Sequence, residues 1–151
     1  MNFLTETWQI HNNINLYLLE SINEENLKDL AASKGRPVGE QFAHMHGVRM
    51  MWLKVADPAL LEGLEKIDKQ NITKTHLAEN LQQSGKAIEQ LFEKTLPGGK
   101  IKGFKPLATG FLGYLISHES HHRGQIMLAL KQSGHMVPQK IQYGIWEWGV
   151  R

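Results

Sequence analysis

The sequence predicts an all-α fold, an antiparallel four-helix bundle with an aromatic C-terminal tail packed on it. Three observations carry this reading. Apolar residues recur at helical spacing over four long segments, no stretch shows the strict alternation of a half-buried strand, and the breaks fall at Pro37, Pro58, Pro97 and Gly134. At 151 residues the chain fits one domain spanning 1–151, large enough to bury a core.

The first helix is expected from Asn2 to about Ile22, with Leu4, Trp8, Ile14, Leu18 and Ile22 on one stripe and no proline or glycine to interrupt it. A short piece from Asn23 to Ala32 continues it or packs beside it. Ser33-Lys34-Gly35-Arg36-Pro37 reads as a loop whose proline sits near a helix start, so the second helix runs from about Val38 to Val55. Asp57-Pro58 stops that helix, because the residue before proline is pushed out of the helical region. A connector with Leu60, Leu61 and Leu64 leads to a third helix from Thr73 to Leu96, which Pro97-Gly98-Gly99 ends. The fourth helix begins near Pro106 and reaches about Ser133, where Gly134 supplies a C-terminal stop. The tail, with Tyr143, Ile145, Trp146 and Trp148, is too aromatic for a free end and is expected to cover the bundle.

Composition narrows the function. A hydrophobic fraction of 41% with 21% charged residues fits a folded soluble protein, and no run approaches the roughly 20 apolar residues that a membrane helix needs. The first residues lack a basic start followed by an apolar run, so a cytoplasmic location is expected. The absence of cysteine excludes disulfides, thiolate ligands and a cysteine nucleophile, leaving nitrogen and oxygen to hold any metal. The formal charge of +2 is thinly spread, and Lys94, Lys100, Lys102 and Lys105 read as a solvated loop, so no nucleic-acid partner is expected.

Five of the eight histidines crowd into two short motifs, His44 and His46 in one and His118, His121 and His122 in the other. Residues four apart stand one turn above another on a helix, so His118 and His122 present two imidazoles in one direction. Phe111, Leu115 and Ala129 share that face, which turns the pair toward the core. Two buried rings need partners, either other polar groups of the core or, as the pairing and the further histidines favour, a metal ion that satisfies both. A third imidazole is available on the second helix, where His44 and His46 differ by roughly 200° and only one can face the pair. Periodicity does not choose, because Val48, Met51 and Val55 accompany His44 while Phe42, Met50 and Leu53 accompany His46. Three neutral imidazoles leave a divalent ion its full charge and an open position, as in catalytic zinc sites, and imidazole suits nickel and iron as well.

His118-Glu119-Ser120-His121-His122 also matches the H-E-x-x-H pattern of zinc proteases, with Glu119 as candidate base and Glu147 as a distant third ligand. The extended motif fails at Gln125 and Leu128, so Glu119 is expected instead beside the ligands or in solvent. His121 is a candidate for orienting a neighbour or closing the rim. Arg123 is a candidate for touching substrate or for a surface ion pair, and Gln125 for touching substrate or orienting His122. His11, His76 and His135 read as ordinary residues, with His11 near the inward face of its helix.

With His44-Met45-His46-Gly47-Val48-Arg49-Met50-Met51-Trp52-Leu53 on the second helix, His118 through Gln125 on the fourth and the closing Tyr143 to Gly149, the chain resembles the DinB-like superfamily over nearly its whole length. That resemblance implies a four-helix bundle, often dimeric, in which a second-helix histidine and an H-x-x-x-H pair bind nickel, zinc or another divalent ion. By alignment on Trp52 it implies His44, with His118 and His122, as ligands, leaving His46 beside the site. It further implies a reaction with a low-molecular-weight thiol as cosubstrate. Three functions follow: a metal-dependent transferase joining a small thiol to an electrophile, a metal-dependent hydrolase, or a noncatalytic protein whose metal pins the bundle. The expected partners are a small-molecule substrate and a second copy of the chain in a homodimer.

Overall fold

The structure, a computed structural model, describes residues 2–96 and 98–151. Four long helices build the body: α1 (Phe3–Glu20), α2 (Val38–Ala56), α3 (Lys74–Glu93) and α4 (Ala108–Gln132), followed by the short α5 (Gln139–Gly144). No strand occurs among the described residues, apart from one isolated bridge between Lys100 and Leu107.

Local chemistry sets the ends. Asn2 caps α1 by accepting from the Leu4 N–H at 3.0 Å, and Thr73 caps α3 through the His76 N–H at 3.1 Å. α4 closes on Gly134, whose φ of +82° is freely open only to glycine; the His135 N–H then reaches the Leu130 carbonyl and the Gly134 N–H the Lys131 carbonyl. α3 ends at Glu93, short of the expected Leu96, and the predicted stop at Pro97 lies outside the described residues. The piece after α1 is a 3₁₀ turn over Glu24–Lys28, and the connector after α2 opens with another over Pro58–Leu61.

Side-chain ties give the directions. The Asn2 amide reaches the Phe92 and Thr95 carbonyls, and the Trp8 indole donates to the Gly85 carbonyl at 2.8 Å, so α1 runs against α3. Trp52 meets Phe111 while His44 meets His122, so α2 runs against α4. The antiparallel expectation holds for these pairs. α2 and α3, by contrast, run the same way: Arg49 reaches the Leu81 carbonyl, and Lys94 pairs with Asp57 at 2.9 Å. A parallel pair requires the connector to travel back along α2. Its path is marked by the Glu65 carbonyl on His46 and by Lys69 near Glu40, with Ile67 buried beneath it.

The core has two apolar ends. One gathers Ile14, Leu18, Phe42, Met45, Leu77, Leu81, Ile126 and Leu130, and the tail joins it through Val137 and Ile145. The other gathers Trp8, Leu53, Ile88, Phe92, Phe111 and Leu115. Fully burying side chains of this size contributes about 1.5–3 kcal/mol each. Tail packing is partial, because Tyr143 and Trp146 point outward at 64% and 76% exposure. Between the two ends lies a polar layer of His11, Asn12, Asn15, Arg49, Ser84 and Glu119, all buried. No helix is long and apolar enough to cross a membrane.

Candidate metal centre

Packing α2 against α4 brings His44, His118 and His122 together, with one ligand nitrogen from each lying within 4.8 Å of the other two. The ring centroids of His44 stand 4.6 Å from His122 and 5.3 Å from His118. His122 is buried, whereas His44 and His118 are half-buried, so the cluster sits at the rim of the bundle and not in its core. This corrects the expectation that the imidazoles point wholly inward: α2 turns Phe42, Met45, His46, Arg49 and Leu53 to the core, and His44 flanks that stripe.

The donor set fits a divalent ion. His122 donates its Nδ1–H to Gln41 Oε1 at 2.5 Å, which leaves the Nε2 lone pair facing the cluster. That Nε2 lies 3.2 Å from His118 Nε2. Two nitrogens on one tetrahedral ion with bonds of about 2.0–2.1 Å stand roughly 3.3 Å apart, so little movement is needed. His118 Nδ1 is buried without a partner among the described residues, so the ring's polar attachment is through Nε2.

Burial lowers the pKa of His122 to about 4, helped by the neighbouring His118, His44 and His121 and by Arg36. Burial also lowers His44, with Arg36 adding to it, and lowers His118 despite the opposing charge of Glu119. All three rings are therefore neutral at pH 7, the state that binds metal. Because these pKa values lie below 6.5, protons compete only in acid. Metal affinity should stay nearly flat above pH 6.5 and fall as pH drops from there toward 4, as read by occupancy at fixed free metal; an unchanged occupancy at pH 4 would exclude histidine ligation.

The residues flanking the cluster differ in character on its two sides. On one side Tyr114 stacks on His118, with ring planes 15° apart, and Trp52 meets Tyr114 and Phe104 edge to face. On the other lie Gln41, Gln125 and the loop carrying Arg36.

The remaining candidates fall elsewhere. His46 is fully buried, with Nε2 bonded to the Glu65 carbonyl at 2.7 Å, so it anchors the connector and stays away from the cluster. His121 is exposed and lies edge-on to His122 at 5.1 Å. Gln125 does not orient His122, because Gln41 already holds Nδ1; it is exposed beside the cavity next to the site. Glu119 is neither in solvent nor available as a protease-type base. At 1% exposure it receives Arg49 through Nε (2.9 Å) and Nη2 (2.7 Å), Asn15 at 2.8 Å and His11 at 3.2 Å, and it points into the polar layer. Arg123 forms no surface ion pair among the described residues: it is half-buried and reaches Asn15 Oδ1 at 2.6 Å and Ser120 Oγ at 3.1 Å. His11 is likewise a member of this network.

Sequence reasoning missed Gln41 and Arg49. Arg49 was detectable as the charge interrupting the stripe Val38, Phe42, Met45, Leu53, while nothing in the local pattern marked Gln41. Replacing Gln41 with alanine should weaken metal binding roughly 10- to 100-fold, the usual cost of losing a residue that orients a ligand, as measured by competition with a chromogenic chelator. Unchanged affinity would remove Gln41 from the site.

A family model described as the DinB family matches residues 1–147, and no curated protein matches the chain.

Proposed function

The chain belongs to the DinB family, and from that premise we propose that it is a metal-dependent enzyme that activates a small thiol, or water, for transfer to a small electrophile. The observation that carries this reading is the convergence of three neutral imidazoles at a half-open rim, one of them locked in tautomer by Gln41. His44, His118 and His122 would hold the ion, with nickel or zinc the first choices for an all-imidazole set. Bound there, a divalent ion supplies Lewis-acid chemistry that makes a thiol or water nucleophilic at neutral pH.

The chain's own residues supply the surroundings. Tyr114 and Trp52 offer an aromatic corner to an electrophile, and the partial exposure of His44 and His118 favours an accessible position over a closed structural site.

The test is elemental analysis of protein purified without chelator or metal-affinity resin, followed by turnover assays with several small thiols and an alkylating electrophile. A stoichiometric divalent ion and thiol-dependent turnover, both lost in His118→Ala, are expected. A protein that takes up no ion when supplied with nickel and zinc overturns the reading. Uptake with thiol-independent ester or amide cleavage redirects it to hydrolysis, and uptake without turnover makes the metal structural.

A further inference from the structure

The loop before α2 builds a second feature beside the metal centre. Lys34 and Gly35 both take left-handed backbone, with φ of +66° and +93°, and turn the chain into Arg36 and the helix start. The preceding segment is tied to the end of α4, since the Ala32 N–H donates to Gln132 Oε1 at 2.6 Å and Ser133 Oγ donates to the Leu30 carbonyl at 3.0 Å. Between this loop, Gln41 of α2 and Gln125 and Leu128 of α4 lies a cavity of about 270 Å³.

Its lining holds two cations, Lys34 and Arg36, and no carboxylate. Neither cation forms an ion pair among the described residues, so both charges are free to meet a ligand. Gln41 is a shared wall. Its Oε1 accepts from His122, and its Nε2 donates to the Arg36 carbonyl at 3.4 Å, so cavity and histidine cluster adjoin.

Unpaired cations in a walled cavity next to a reactive centre suit a ligand with negative charge at one end. We propose that this cavity receives an anionic head group of the substrate, a carboxylate, phosphate or sulfonate, on Arg36 with Lys34 as the outer contact, while the substrate's other end reaches the histidine centre. The inference rests on the metal-dependent reading above and adds the substrate's charge and orientation.

The probes are 3-mercaptopropane-1-sulfonate and the neutral 3-mercapto-1-propanol, titrated into metal-loaded protein. Cobalt-loaded protein is read by thiolate-to-metal absorption, and zinc-loaded protein by NMR shifts of the Gly35 amide and the Gln125 side-chain amide. The sulfonate should saturate at about tenfold lower concentration than the alcohol and shift both loop signals, a charge-assisted contact being of that size. The double substitution Lys34→Gln, Arg36→Gln should erase the difference. Both side chains are exposed and the Arg36 carbonyl remains for Gln41, so the variant should melt like the parent.

Equal affinities with silent loop signals, or a sulfonate preference that survives the double substitution, overturn the inference while leaving the metal reading intact. Loop shifts without thiolate absorption keep the anion site and reject thiol activation. Silence in both readouts rejects both.

Discussion

Replacing Glu119 with alanine should destabilise the protein by roughly 3–5 kcal/mol, the range for breaking a buried ion pair by removing one partner. The reason is what remains. Arg49 is fully buried and would retain Leu81, Ser84 and Asn12 as hydrogen-bond partners but lose both contacts to the carboxylate that neutralises it. Asn12 is itself held in place by packing on Gly85, where a Cβ would collide with its amide, so the network cannot easily relax. A loss of that size should lower Tm on the order of 10 °C for a chain of this length, measured by calorimetry or urea unfolding. The double variant Arg49→Met, Glu119→Leu, which removes both charges and fills their space, should lose much less stability than Glu119→Ala, because no stranded charge remains. A single variant costing less than about 1 kcal/mol would mean that water reaches the layer and the pair behaves like an exposed one.

The sign of the pH effect at this pair follows from its surroundings. Burial works to raise the Glu119 pKa, but the Arg49 guanidinium outweighs it and holds the carboxyl well below the usual carboxylate range. A depressed folded-state pKa gives stability that is complete above the unfolded value near 4.5 and is lost only as pH falls through the folded value. The carboxylate layer therefore outlasts the histidine centre as acid is added, and metal should leave before the bundle opens.

How much of this was legible in the sequence depends on what each residue type can announce. Helices announce themselves through period and their ends through proline and glycine, and α1 to α4 were placed within a few residues from apolar spacing together with the breaks at Pro37, Pro58, Pro97, Pro106 and Gly134. The direction of α3 was not legible, because helical period carries no information about the path of a connector, and the route back along α2 is fixed by His46, Ile67 and Glu65 across distant sequence. The His118–His122 pair was legible because four-residue spacing is a geometric statement. The polar layer was not: Asn12, Asn15, Ser84, Arg49 and Glu119 come from four helices, and each alone reads as a solvent-facing residue. Only together do they satisfy one another, which permits a buried charge pair between two apolar ends of the core.

The choice between the two second-helix histidines leads to the sharpest expected contrast. Replacing His44 with alanine should weaken metal binding by more than about 100-fold, beyond the range seen when a merely orienting residue is lost, because one of the three nitrogens of the candidate centre disappears. The fold should tolerate it, since His44 is half-buried and flanks the core stripe of α2. Replacing His46 with alanine should do the reverse. Its ring is fully buried and its Nε2 holds the Glu65 carbonyl at 2.7 Å, so truncation leaves a cavity and an unpaired carbonyl, together costing about 2–4 kcal/mol. Metal affinity in that variant should remain within a few-fold of the parent when measured below its melting transition. His46→Gln, which keeps a donor for the carbonyl, should restore part of the stability and none of the metal phenotype. The two residues lie on different faces of one helix, so a crossed result, with His46→Ala releasing metal from a folded protein and His44→Ala retaining it, would overturn the assignment of His44 and with it the placement of the centre at the α2–α4 rim.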